Sequence, residues 1–141
     1  MGRYVPREVM SKVSTLVIKL ESITSGFSEV WSDWLKEDEE FGDGEEPNEH
    51  TVFLEYNEFI ISKIDALSSE NKIILFSYIE DSLNSNDSNL SEAIATCFLE
   101  SLLQKSARFR PDNYFPFLGS ESIKHSKAWD EFNGIKTNGL W

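Results

Sequence analysis

The chain has 141 residues, a length that suits one domain and buries a core without disulfides or metals. Hydrophobic residues make up 40% of it, with ten Phe, four Trp and four Tyr, which excludes a disordered chain. The formal net charge of −12 argues against nucleic acid and against an anionic membrane surface as partners, because both are bound through clustered Lys and Arg.

The charge is unevenly placed. Residues 1–26 sum to +2, 27–50 to −9, 51–104 to −7 and 105–141 to +2. No apolar run approaches the roughly 20 residues that span a bilayer, and the N-terminus lacks the apolar stretch of a secretory signal. Pro6 stands where a myristoylation pattern needs Ser or Thr. Cys97 is the only cysteine, so no internal disulfide can form, and a reducing, cytoplasmic setting is expected.

Taken in chain order, the periodicity predicts helices throughout. Val9, Val13, Leu16, Val17, Leu20 and Ile23 recur at spacings of three and four, giving a first helix from about Pro6 to Ile23 that stops at Ser25-Gly26. A second follows from Phe27 to about Glu37, with Phe27, Val30, Trp31, Trp34 and Leu35 on one face. The acidic segment at about 38–48, with its glycines and Pro47, reads as an exposed loop. A third helix, about Glu49 to Leu67, carries the stripe Phe53, Tyr56, Ile60, Ile64 and Leu67.

The fourth predicted helix runs from about Ser69 to Leu83 with Ile73, Phe76, Ile79 and Leu83 inward. Residues 84–88 turn the chain, and Asn89 with Glu92 reads as a cap for a fifth helix, about Asn89 to Lys105. That helix should bury Leu90, Ala93, Ile94, Cys97, Phe98 and Leu102. The irregular aromatic segment 107–119 should drape over the helices and plug the core. Residues 120–132 should form a sixth helix burying Ile123, Ala128 and Trp129 or Phe132. Short links between helices imply antiparallel neighbours. The expected fold is therefore all-α, an irregular antiparallel bundle of five to six helices in a single domain, 1–141. A short stack of helical repeats is the alternative, although no repeat of 20–50 residues is visible.

No catalytic or metal motif emerges. The acidic run fails the calcium-loop pattern in both glycine registers: with Gly44 at the sixth position His50 falls at the twelfth, and with Gly42 there Asn48 does. His50 and His125 have no zinc-ligand spacing around them. Glu80-Asp81 could serve acid–base chemistry only if burial separated their pKa values, and the pair reads as exposed at a helix end. Cys97 sits on a core-facing helix, where an inert thiol is expected. Trp31 and Trp34 read first as core, with a binding hot spot beside the acidic run as the alternative. No enzyme activity and no cofactor are expected.

The segments Ala93-Ile94-Ala95-Thr96-Cys97-Phe98-Leu99-Glu100-Ser101-Leu102 and Leu118-Gly119-Ser120-Glu121-Ser122, followed by Trp129, resemble small acidic helical bacterial immunity proteins of interbacterial toxin systems. The resemblance spans about the C-terminal two-thirds and rests on residues that look structural. It implies an inhibitor that covers the basic active site of a cognate toxin domain, a nuclease in the leading case. The charge pattern itself points to a basic protein partner. The expected contact residues are Glu37, Asp38, Glu39, Glu40, Asp43, Glu45, Glu46 and Glu49, helped by Glu55, Glu58, Glu80 and Asp81. Two other readings stay open: a nucleic-acid mimic that blocks a DNA- or RNA-binding protein, and a structural helical adaptor.

Overall fold

Apolar residues at helical spacing need a shared interior, and six helical rods supply it. The computed structural model describes residues 7–41, 47–105, 114–137 and 140–141; side chains 7–11 and 39–41 are outside the description. The helices are α1 (Arg7–Ile23), α2 (Phe27–Phe41), α3 (Glu49–Ile61) and α4 (Ser69–Leu83). A fifth rod follows, made of α5 (Ser88–Ala93), a π-helical stretch (Ile94–Glu100) and α6 (Ser101–Gln104), and α7 (Ser120–Phe132) is the sixth. The described residues contain no strand, so the architecture is an all-α bundle.

The core is aromatic, and Phe98 on the π-helical stretch lies at its centre. Its ring stacks on Tyr56 at 6.0 Å and meets Phe53 at 6.1 Å and Phe76 at 6.3 Å. Phe27 approaches Tyr56 edge-on at 5.0 Å, and Tyr114 stacks on Phe76 at 5.8 Å. Such pairs add about 0.5–1.5 kcal/mol beyond their burial. The Tyr56 hydroxyl shares a buried 2.8 Å hydrogen bond with Thr24, so this buried ring carries no orphaned polar atom. Tyr114, Phe115 and Leu118 are buried as the core-plugging reading requires, while 107–113 of that segment lie outside the described residues.

Several local expectations need correction. α2 runs four residues past Glu37, to Phe41. α3 ends at Ile61 rather than Leu67: the Ser62 hydroxyl donates to the Phe59 carbonyl at 2.7 Å, competing with the helical ladder, and a 3-10 turn (Ile64–Ala66) follows. In α4 Phe76 and Ile79 fit two registers. Packing selects the one that buries Lys72, Leu75 and Ser82 and turns Ile73 out, 55% exposed. The fifth rod is capped by Asp87, whose carboxylate accepts from Leu90 N at 3.2 Å, rather than by Asn89. α7 turns Ser122, Ser126 and Asp130 to the bundle, leaving Ile123 and Trp129 half-buried and Ala128 and Phe132 exposed. Leu35 is also exposed, whereas Trp31 is buried with Trp34 stacked on it at 5.0 Å.

Candidate functional site

Carboxylates are this chain's main surface chemistry, and the structure divides them by what they already do. Glu21, on α1, accepts from Gly26 N at 3.1 Å, from Ser28 N at 2.8 Å and from Ser28 Oγ at 3.0 Å. It caps α2 across the turn that Gly26 makes at φ +106°. Hydrogen bonds from Ser28 and Gly26 hold its carboxyl below the usual range.

Glu80 does the same for α7. The N-cap of that helix is Gly119, which has no side chain to offer. Glu80 instead reaches across from α4 and accepts from Glu121 N, Ser122 N and Ser122 Oγ at 2.9, 2.9 and 2.8 Å. A Cβ at Gly119 would overlap the Glu80 carboxyl, so the glycine makes room for the cap. Partial burial alone would raise the Glu80 pKa, but the bonds from Glu121, Ser122 and Asn84 outweigh it and the net shift is downward. The expectation of an exposed Glu80-Asp81 pair therefore holds for Asp81 only. Glu100 pairs with His125 at 2.8 Å.

A second group, on α2 and α3, is not seen to cap a helix. Glu37 on α2 and Glu55 on α3 make no ion pair among the described residues, yet they lie close enough for Glu37 to raise the Glu55 pKa. Partial burial is the larger cause of that rise, followed by Glu58 and then Glu37, with Lys105 opposing. Glu58 is half-exposed and pairs with Lys105 at 2.7 Å. The same ammonium donates to Asn57 Oδ1 at 2.9 Å, and buried Asn57 in turn donates to the Phe98 carbonyl on the π-helical stretch.

α2 also places Glu37, Asp38, Glu39 and Glu40 near its C-terminus, with no basic residue in its last turn. Acids there oppose the helix dipole by about 0.3–1 kcal/mol each. Glu29, Asp33 and Glu37 also repeat at like-charge spacings of four.

The structure thus brings Glu37, Glu55 and Glu58 together on one α2–α3 face, with Asp38 half-buried in the same stretch of α2. Glu49 lies apart, in the first turn of α3 beside Lys12 in a small surface groove. The backbone of Glu39 and Glu40 continues α2, and Asp43, Glu45 and Glu46 lie outside the described residues. The sequence did not expose Asn48 and Thr51 as the reciprocal cap of α3, because Thr replaces the usual Glu or Gln there. Nor did it single out Asp130, which is fully buried and accepts from Thr137 N, Thr137 Oγ1 and the Trp141 indole N–H at 2.8, 2.9 and 3.0 Å.

Two expected outcomes follow from these environments. Burial pushes the Cys97 thiol upward, and the Glu100 and Glu92 carboxylates add to it, so labelling by a thiol reagent should be slow until denaturant is added. Rapid labelling of the native protein would contradict the burial. Glu55→Gln should raise the melting temperature at neutral pH. A raised folded-state pKa means that protonated Glu55 favours folding at low pH and that this contribution is lost as pH rises through the folded value. The neutral isostere should therefore gain nothing below the ordinary carboxylate value of about 4.3. A melting temperature at pH 7 equal to or below that of the parent would remove the like-charge account.

The geometry defines an all-α bundle with carboxylates of α2 and α3 near one another and no described group of three or more His, Cys, Asp or Glu side chains placed to hold a metal. No described helix is long and apolar enough to cross a membrane. A family model described as a domain of unknown function, DUF7674, matches residues 20–134, and the chain belongs to that family. No curated protein and no solved structure matches the chain.

Proposed function

We propose that this protein is an inhibitor of the immunity type, which docks its acidic α2–α3 face on the basic active-site surface of a toxin domain, a nuclease in the leading case. The observation that carries the reading is the placement of the acids. Four acids, Glu37 to Glu40, stand in sequence at the C-terminal end of α2 with no basic residue in its last turn, and Glu58 and Glu37 add to the burial that raises the Glu55 pKa. Residues that lower stability where neutral ones would serve are candidates for a role in binding. A basic partner relieves the repulsion on contact and is steered in from a distance.

The cytoplasm, where a lone thiol stays reduced, is the setting this reading assumes. Its test is affinity capture from the native cell at low and high salt, with the captured chain identified by mass spectrometry. A basic toxin domain that is retained at low salt and lost by a Glu37→Lys/Glu55→Lys variant is expected. A DNA- or RNA-binding protein in its place would mark the face as a nucleic-acid mimic. An acidic partner, or one held equally by the variant, would overturn the acidic face as the docking site.

A further inference from the structure

Lys12 and Lys19 stand two helical turns apart on one side of α1, about 10 Å along its axis. With Leu16 of the same helix, Tyr78 of α4 and Leu90 of α5 they line a groove of about 420 Å³. That volume lies within the range of about 300–1,000 Å³ typical of small-molecule sites. Leu16 is buried, and Tyr78 and Leu90 are half-buried, so the floor of the groove is apolar. Lys19 is held in place there, its ammonium 5.4 Å from the centre of the Tyr78 ring. Neither lysine makes an ion pair among the described residues.

Two acids also line the groove, and both stand at helix N-termini. Asp87 accepts from Leu90 N at 3.2 Å as the cap of the fifth rod, and Glu49 lies in the first turn of α3. A helix N-terminus supplies about half a positive charge, which partly cancels the carboxylate beside it. Two lysines, two carboxylates and two N-termini therefore leave these groups with a balance of about one positive charge. In a chain of net charge −12 that is a local reversal of sign, and it coincides with an apolar floor.

We propose that the groove binds a small aromatic carboxylate, with its charge between Lys12 and Lys19 and its ring against Leu16, Tyr78 and Leu90. An anion without an apolar body would gain only the screened attraction of two exposed lysines. An apolar body without the charge would leave both ammonium groups unused. The groove contains none of Glu37, Glu55 and Glu58, so the site does not depend on the inhibitor reading.

An NMR titration of the nitrogen-labelled full chain with naphthoate tests it. The amides of Thr15, Leu16, Lys19, Tyr78 and Leu90 should shift together and saturate, with a dissociation constant of about 1 mM or tighter. Naphthamide keeps the rings without the charge, and acetate keeps the charge without the rings. Each should bind the parent at least about tenfold more weakly than naphthoate does. Lys12→Met/Lys19→Met, at two exposed positions, keeps the apolar stems. It should weaken naphthoate at least about tenfold and leave naphthamide unchanged. Glu49→Gln should tighten naphthoate, because it removes a carboxylate from the rim. Circular dichroism checks that each variant keeps its helices, and the three probes on the parent decide the matter where a variant does not fold. Naphthoate shifts that do not saturate, that fall on other residues or that naphthamide matches in affinity would overturn the inference. So would a folded double-Met variant that binds naphthoate as tightly as the parent.

Discussion

Glu80→Ala is expected to destabilise the protein by about 2 kcal/mol, with the damage centred on α7. Three donors at the N-terminus of that helix lose a charged acceptor, and hydrogen bonds to charged groups contribute about 1.5–3 kcal/mol. Loss of a cap costs about 0.5–2 kcal/mol, and partial exposure of Glu80 keeps the total towards the lower end of the combined range. The loss should depend on pH with a definite sign. A folded-state pKa below the ordinary value means that the contribution is present above the unfolded pKa and is lost as pH falls through the folded one. Parent and variant should therefore converge on acidification. Gly119→Ala should mimic the variant at neutral pH, since its methyl group displaces the same carboxyl. Urea melts of the three proteins at neutral and acid pH decide the matter. A Glu80→Ala variant as stable as the parent at neutral pH would show that Gly119 and solvent cap α7 unaided.

Asp130→Ala should cost more, about 3 kcal/mol, and act locally. A fully buried carboxylate that accepts three hydrogen bonds leaves two backbone or indole donors and a hydroxyl without a partner when it is removed. The bound on the loss is the free energy of detaching residues 135–141, because the tail can leave the bundle while the Phe98 core persists. The Trp141 indole resonance should lose its dispersion and the amide of Thr137 its exchange protection, with the core amides changing little. Unchanged protection at Thr137 would contradict the assigned clamp.

Much of the fold was legible because the signals were local. The spacing of Val13, Leu16, Val17, Leu20 and Ile23 places α1, and the turn at Gly26 separates it from α2. What failed depended on contacts made from elsewhere. Ile73 and Lys72 occupy neighbouring positions on α4, and only the tertiary packing, with the Lys72 ammonium 5.7 Å from the Phe117 ring centre, turns Lys72 in and Ile73 out. α7 reads as apolar-inward from its own residues, yet its bundle face is polar because Ser122 meets Glu80 and Asp130 gathers the tail. The acidic character of 27–58 was plain in composition. Glu80, grouped with the contact residues by its charge, is a cap, while Glu37 and Glu55 converge across two helices. A one-dimensional charge count carries no distances, so it cannot separate carboxylates engaged in capping from those left crowding one another.

The proposed role of the α2–α3 carboxylates is to receive a basic partner. Its most direct test is the association rate of the captured partner with the parent chain and with Glu37→Lys/Glu55→Lys, measured by stopped flow across ionic strength. The parent rate should fall steeply as the Debye length shrinks from about 10 Å at 0.1 M to about 3 Å at 1 M. The variant should bind about tenfold or more slowly at low salt and lose most of the salt dependence, while melting no lower than the parent. Equal rates for the two proteins at every salt concentration would contradict the account.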